Sequence, residues 1–467
     1  MNLIVNGFCN SDQIEIINSI IASHDIEKLV VFSADENGKK LLSDLHTVFV
    51  IPEIIQGDYD IDAIHLDPLD KTIIDSMLIY ESDIMRMMDR FEVYLKKPMS
   101  YDERKKIYFK HLRYWSHFLA HNRIDAFISG NIPHDIYDFV ILALCKITNI
   151  PTVYFYQGQI LDIIHPMVDY KIGTDELPKR YNQLLIDYSY EKKYVFSEFV
   201  ENTWKEMQRD IAPFYMDKYP LNSYMLTIKS FKNILSSVNK ISYLGLQRKW
   251  KNYKLRSTYK AISKKPDFDS KYIYFPLHYQ PELTSCPLGV GYENQYLIIQ
   301  MLDYFLPDDY ILYVKEHPAQ EIFARNYDYY NDILKSTKKV VFVPLETSSF
   351  DLMNNAQAVT TITGTAGWEA LFRQKPVLVF GHNFYQYAPG VTLITTKEDA
   401  KKAIDEIVSH KFVYDEIKLK LFIQAVEDTS IKGYIDLEYQ IVSKFNNNIT
   451  NKNISNFINE FLNKLLC

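Results

Sequence analysis

The segment TTITGTAGWEAL, residues 360–371, gathers groups suited to holding a phosphorylated ligand. An apolar β-forming run ends in Thr363-Gly364-Thr365-Ala366-Gly367, and the pattern then predicts a helix with Glu369 in its first turn. Glycine lets the backbone come close to a ligand. The N–H groups and dipole of a helix start favour a phosphate. Thr363 and Thr365 add hydroxyl donors, and Glu369 can accept hydrogen bonds from the two hydroxyls of a ribose. The same residues also suit a tight strand–helix turn in which a glutamate stabilises the helix start, and a Gly-rich turn alone does not separate the two readings.

Three more segments place polar groups where a strand is expected to end. In YVKEHPAQ, residues 313–320, Pro318 stiffens the turn and holds His317 extended. A histidine there can donate to a phosphate oxygen, with Lys315 and Glu316 beside it. In FPLHYQPELT, residues 275–284, His278, Gln280 and Glu282 follow a strand, and KPVLVFGHNFY, residues 375–385, runs into Gly381 and His382. Each alone also reads as a loop or a capping turn. Together, four such motifs within about 110 residues imply one cleft lined from one sheet edge.

The elements that must position these groups alternate. The first half predicts strands at 2–8, 28–32, 47–51, 124–129 and 152–156, with helices at 11–23, 71–95, 101–121, 135–148 and 188–218. The second half predicts strands at 272–276, 310–315, 340–343, 358–362 and 377–380, with helices at 293–306 and 397–409. Such alternation argues for parallel sheets built from βαβ units. SGNIPHDIYDF, residues 129–139, follows a first-half strand and opens a helix. There His134, Asp135 and Asp138 could supply a base that activates an acceptor hydroxyl, or a nucleophile. Helix capping by Asp135 beside a surface His134 is the competing reading.

A chain of 467 residues exceeds one ordinary core. Four expected segments follow: residues 1–215 and 267–445 as α/β domains, 216–266 as a basic inter-domain segment, and 446–467 as an Asn-rich tail ending in a short amphipathic helix. From Lys218 to Lys265 there are twelve Lys or Arg and no Asp or Glu, with Trp250, Tyr253 and Tyr259 interleaved. This suits a solvated basic face, or contact with an anionic membrane surface or a lipid-diphosphate acceptor. The net charge of −7 argues against nucleic acid as partner. Four scattered cysteines argue against a zinc site or a disulfide framework and fit a reducing compartment. No run of about 18 apolar residues and no leader-like N-terminus is present, so the expectation is a cytoplasmic protein, at most peripheral to the inner face of the membrane.

The order QPE, KEHP, TGTAGWEAL, KPVLVFG resembles the capsule polysaccharide synthesis family, which includes retaining Kdo transferases and related transferases of nonulosonic acids. The resemblance is close over about residues 270–395 and loose in the N-terminal half. The His-Pro dipeptide is also similar to that of bacterial sialyltransferases with the two-Rossmann (GT-B) fold, whose histidine contacts the CMP phosphate. The resemblance implies an α/β fold of two Rossmann-like doubly wound domains facing a cleft. It implies a glycosyltransferase that moves a ulosonic acid (Kdo or a nonulosonic acid) from a CMP-sugar to a surface-glycan or lipid-linked glycan acceptor. His317 would face the donor phosphate, Thr363, Gly364 and Thr365 would hold it, Glu369 would bind the ribose, and Gln280 would line the site. No cofactor is implied beyond the donor itself. The absence of a DxD-type carboxylate pair at a strand end of the second half fits transfer without a metal. In one place the chain departs from the family: where the Kdo transferases carry Glu-Asp-Gly after an N-terminal strand, it has Gln157-Gly158-Gln159 and no carboxylate before Asp162. Two alternatives stand beside this expectation. One is a CDP-glycerol-type phosphotransferase or UDP-sugar enzyme on the same fold. The other is a non-catalytic glycan-assembly protein.

Overall fold

Runs rich in Val, Ile, Phe and Tyr form thirteen strands among the described residues, and these assemble into two sheets. The computed structural model describes residues 1–42, 47–60, 63–95, 98–174, 176–191, 194–211, 243–320, 325–326 and 328–466. The first sheet takes β1 (Asn2–Asn6), β2 (Lys28–Ser33), β3 (Thr47–Val50), β4 (Ala126–Ser129), β5 (Thr152–Gln157) and β6 (Ile163–Met167). The second takes β7 (Lys271–Pro276), β8 (Tyr310–Lys315), β9 (Val340–Phe342), β10 (Ala358–Thr361), β11 (Val377–Val379) and β12 (Val391–Leu393). The last strand, β13 (Ile431–Lys432), returns to the first sheet beside β6.

The second sheet is parallel throughout, in the order β12-β11-β10-β7-β8-β9. In the first, β3-β2-β1-β4-β5 are parallel, and β6 and β13 add antiparallel pairings at one edge. Parallel strands are covered on both faces, which is why these segments are near-continuously apolar. β5 is buried along its whole length, and Ile273 to Phe275 are fully buried in β7. In each sheet the strand order reverses once, between β1 and β4 and between β7 and β10. Loops diverge at such a reversal and leave a crevice at the strands' C-terminal ends. Both units are therefore Rossmann-like and doubly wound, as the alternation predicts.

The chain divides into two compact units, one made of Met1–Val200 with Lys420–Cys467 and the other of Glu201–Leu419. These limits differ from those drawn on the sequence. Residues 420–445 belong with the first unit, because Ile431 and Lys432 pair with β6 and Ile435 joins the first core. The stretch expected to be an Asn-rich tail is a docked helix, Asn447–Leu466. Its Ile454, Ile458 and Leu462 are fully buried in the first core beside Ile16, Ile17 and Ile20. Its amides are partnered: Asn451 Nδ2 donates to the Asp12 carbonyl at 2.6 Å and Asn453 Nδ2 to the Lys432 carbonyl at 2.8 Å.

The helix expected over 188–218 is interrupted. One helix runs Glu176–Glu191 and another Glu198–Met207. Ser197 starts the second: its hydroxyl accepts the Val200 N–H at 3.2 Å, while its own N–H donates to Gln424 at 3.3 Å. Residues 212–242, which include the first part of the basic segment, lie outside the described residues. Most of the remainder forms the helix Tyr243–Ile262, whose Leu255 and Tyr259 are built into the second core. Trp250 and Tyr253 are exposed on it. β6 contains Pro166, which cannot donate to a ladder and disguises the strand in the sequence. No helix among the described residues is long and apolar enough to cross a membrane.

Candidate functional site

At the reversal of the second sheet, the loop after β7 meets the turn after β10. His278 Nε2 accepts the Thr363 N–H at 3.2 Å. Burial, reinforced by the nearby His317 and the Arg325 cation, lowers the His278 pKa to about 3. The ring is therefore neutral near pH 7 and carries its proton on Nδ1. Thr363 is fully buried, and its hydroxyl donates to the Thr284 carbonyl at 2.6 Å. Gly364 N–H donates to Thr361 Oγ1 at 3.0 Å. A Cβ on Gly364 would stand 2.9 Å from that oxygen and 3.1 Å from His278 Nε2, so only glycine fits without a shift. Thr365 then opens the helix Thr365–Leu371, with Gly364 at its N-cap. The N–H groups of a helix's first turn have no intrahelical acceptor. Two buried groups at this edge lack a hydrogen-bond partner among the described residues: His278 Nδ1 and both amide atoms of Asn383.

Beneath the loops lies a buried polar network. The Arg325 guanidinium contacts Glu316 at 2.6 Å, Gln280 Oε1 at 2.7 Å and the His278 carbonyl at 2.7 Å. Glu316 Oε2 also accepts from Tyr330 at 2.8 Å, and the Glu316 N–H donates to Tyr259 at 2.9 Å. Gln295 fastens the loop after β7: its Oε1 accepts the His278 N–H at 2.8 Å and its Nε2 donates to Gln280 Oε1 at 3.1 Å. Gln280 was expected to line the donor site. Instead its side chain is buried, with Oε1 accepting from Arg325 and Gln295 and Nε2 donating to the Glu293 carbonyl. The amide is thus engaged by the protein itself and holds the loop.

The other expected residues lie at the same edge. Lys315, half-buried at the end of β8, donates to the Thr347 carbonyl at 2.5 Å and to Ser349 Oγ at 3.0 Å. Burial lowers its pKa to about 8, opposed by Glu346. Tyr274 also donates to Ser349, at 3.2 Å, and the Tyr274 hydroxyl feels the charge of Glu369. Lys315, Ser349, Tyr274 and Glu369 therefore form one neighbourhood. Burial pushes Glu369 up to about 7 despite the Arg373 cation. His317 is lowered to about 4 by burial and by Arg325 and Lys315. Its Nδ1 accepts the Ala319 N–H at 3.2 Å, which places the proton of the neutral ring on Nε2. Lys315, His317, Thr363, Gly364, Thr365 and Glu369 thus share one sheet edge, reached from β8 and β10.

The first unit has a cluster at its own reversal. Asn6, ending β1, donates to Ser129 at 3.1 Å and to Asp138 Oδ2 at 3.3 Å, and accepts from Tyr137 at 3.0 Å. Asp138 also accepts the His134 N–H at 3.3 Å, and its Oδ1 has no partner among the described residues. Burial, with the charge of Asp135, raises the Asp138 pKa well above the carboxylate range. His134 is lowered by burial and by Arg90, whose guanidinium donates to the His134 carbonyl at 2.6 Å. Asp135 holds the N-cap position of the helix Ile136–Ile147 but makes no side-chain capping bond, so the capping reading is not what its carboxylate does. Asp135 and His134 keep partial exposure, whereas Asp138 is buried. At the departure from the acidic motif, Gln157 accepts the Ile435 N–H at 2.9 Å and donates to the Ile163 carbonyl at 3.2 Å. Asp162 accepts from Ser443 at 2.5 Å and from the Lys444 N–H at 3.1 Å. Both side chains tie the C-terminal return to the first sheet.

Sequence reasoning passed over Arg325, Gln295, Tyr274, Ser349 and Asn383. A His-Asn pair after a strand was the one visible signal, and it singled out His382 rather than Asn383. Similar solved structures include Thermosulfurimonas dismutans KpsC, beta Kdo 2,7 transferase, at 11% identity and a TM-score of 0.36, with 98% of this chain and 99% of that chain covered. KpsC, beta Kdo 2,4 transferase, from the same organism has 11% identity and a TM-score of 0.31 over 65% of this chain and 79% of that one. The UDP-GlcNAc 2-epimerase from Methanocaldococcus jannaschii has 13% identity and a TM-score of 0.28 over 91% and 98%. No curated protein sequence matches. The model of the family described as capsule polysaccharide biosynthesis protein matches residues 173–424, more than half of the chain, and the chain belongs to that family.

Proposed function

We propose that the protein is a GT-B glycosyltransferase that moves a ulosonic acid from a CMP-sugar to a surface-glycan acceptor, with retention and without a metal in the reaction. The observation that carries the donor assignment is the convergence at the second unit's reversal of Lys315, neutral His317, the Thr363-Gly364-Thr365 turn and Glu369. The resemblance in motif order supplies the choice of CMP. Lys315 and the Nε2–H of His317 meet the donor phosphate, joined by first-turn N–H groups at Thr365. These groups offset charge on the departing CMP. Ionised Glu369 accepts from the ribose hydroxyls. The unpartnered amide of Asn383 and the Nδ1–H of His278 suit a polar ligand, since buried polar groups ordinarily find a partner.

In the first unit, Asp135 is the carboxylate we assign to acceptor activation or to attack on the anomeric carbon. Asp138, buried and hydrogen-bonded to Asn6, positions the turn that carries Asp135 and His134. A non-catalytic role in glycan assembly is the second reading, and the observation that favours it is the structural use of Gln157 and Asp162.

The deciding experiment measures CMP release from CMP-Kdo and CMP-nonulosonic acids with EDTA present, alongside thermal stabilisation by CMP, CDP and UDP. CMP release and the largest stabilisation by CMP are expected. Preference for UDP, or no binding of any CMP-sugar, would overturn the donor assignment. Asp135→Asn should lower turnover by about 100-fold or more while leaving CMP affinity in place. Turnover that survives this change removes Asp135 from the chemistry, and binding without turnover in the wild type favours the assembly role.

A further inference from the structure

Away from both sheet reversals, Asp67, His117 and His121 form a separate cluster. The two histidines are four residues apart at the end of the helix Tyr101–His121, so they share one face. Their ring centroids are 4.2 Å apart. Asp67 arrives from the loop after the short turn Ala63–His65. Its Oδ2 lies 3.1 Å from His117 Nδ1 and 3.4 Å from His121 Nδ1, and one ligand atom from each of the three residues lies within 4.8 Å of the others.

The loop is pinned there by the main chain. Arg113, one turn before His117, donates to the Asp67 carbonyl at 2.9 Å and to the Leu66 carbonyl at 2.6 Å. The carboxylate is therefore held against the rings by contacts other than its own. Neighbouring ligands on a tetrahedral ion with bonds of about 2.0–2.1 Å stand about 3.3 Å apart. The separations from Asp67 Oδ2 already match this. At present His117 Nδ1 accepts the Asp67 N–H at 3.2 Å and His121 Nδ1 lies 2.9 Å from the His117 carbonyl, so binding exchanges one hydrogen bond per ring for a metal bond. Two imidazoles with one carboxylate suit a first-row transition ion, whereas magnesium and calcium prefer an all-oxygen set. Asp67 and His121 are each more than half exposed, which leaves room for water to complete the shell.

We propose that Asp67, His117 and His121 bind one divalent transition ion, with zinc the first candidate. The chain enters β4 a few residues after His121, so the cluster belongs to the edge where that strand begins, opposite the edge that carries Ser129 and the Asp138 cluster. The ion is a structural clip between the 66–67 loop and the helix end, and takes no part in transfer. Cysteine spacing gives no sign of such a site, and Cys9, Cys145 and Cys286 are buried and do not compete for the ion.

The test is a calorimetric titration of the full chain with Zn2+, the ligand-field spectrum of its Co2+ complex, and thermal melts with and without Zn2+. One ion per chain, a tetrahedral Co2+ spectrum and a raised Tm are expected. Asp67→Asn should weaken Zn2+ binding by at least the roughly tenfold that loss of an outer-shell partner costs. The double variant His117→Gln/His121→Gln should lose both the binding and the Tm shift. If the double variant does not fold, the same loss is read in His121→Gln, whose ring is half exposed. No saturable binding by the wild type, or unchanged binding in the histidine variants, overturns the proposal. Binding is read without turnover, so failure of the donor assignment leaves this result intact.

Discussion

Two titrating side chains at the candidate donor site give it a pH signature. Glu369 must be ionised to accept from ribose hydroxyls, and burial sets its pKa near 7. Lys315 must be protonated to meet a phosphate, and burial brings its pKa down to about 8. Affinity for a CMP-sugar should therefore fall as pH drops through about 7 and again as it rises through about 8. A CMP-sugar is the right probe because its phosphodiester does not titrate in this range. Glu369→Gln should remove the acidic limb and Lys315→Met the alkaline limb, each at reduced affinity. A flat profile in the wild type would remove both residues from donor binding. Glu369 has a second consequence, for stability. The folded state raises its pKa above the unfolded value, so it holds the proton more tightly than the unfolded chain does. Ionised Glu369 then costs stability above about pH 7, and the cost fades as pH falls through that value toward the ordinary glutamate value of 4.5. Glu369→Gln should melt above the wild type at pH 8 and lose this advantage in acid, so that one substitution gains stability while weakening the donor.

The loop after β7 and the turn after β8 are held by one buried ion pair. Arg325 and Glu316 are almost fully enclosed, and the same guanidinium fixes Gln280 and the His278 carbonyl. Removing one partner of a buried pair leaves the other charge uncompensated, at a cost of about 3–5 kcal/mol. Arg325→Met should therefore destabilise the second unit by about that amount in denaturant unfolding. It should weaken CMP binding as well, although Arg325 is not assigned to touch the ligand. A loss under about 1 kcal/mol, the range of an exposed pair, would show that the network is not what holds the loops. This element also marks what the sequence could reveal. The strand-end motifs were legible because glycine, proline and histidine follow apolar runs that can only be strands. Lys315, His317 and the Thr363–Thr365 turn were singled out on that basis, and the structure places them at one sheet edge. The pairing of Gln280 was not legible because its partners, Gln295 and Arg325, are fifteen and forty-five positions away, and no local pattern announces such pairing. Asp67, His117 and His121 escaped for the same reason. Two histidines four apart look like an ordinary helix face until the 66–67 loop is seen against them.

At the scale of the molecule, the two parallel sheets followed from periodicity, because strands buried on both faces leave long apolar runs. The assignment of the last residues did not follow. An Asn-rich stretch reads as solvated tail, and its amides reveal their role only when the carbonyls they meet are known. The first unit is discontinuous in sequence, and its core is closed by Ile454, Ile458 and Leu462 from the final helix. Full burial of such side chains is worth about 1.5–3 kcal/mol each, so the helix contributes on the order of the net stability of a whole domain. A chain ending before Asn447 should therefore lose the first unit and keep the second. Limited proteolysis should then leave a protected fragment from within 243–419 while the first 200 residues are degraded. The milder Ile458→Ala should lower only the transition of the first unit, by about 2–5 kcal/mol. Because Glu369, Lys315 and His317 all belong to the second unit, CMP should still bind the Ile458→Ala variant with near wild-type affinity under conditions where the first unit has melted. If binding is lost together with the first unit, the donor site depends on more than the second unit, and the assignment of the site to that unit alone fails.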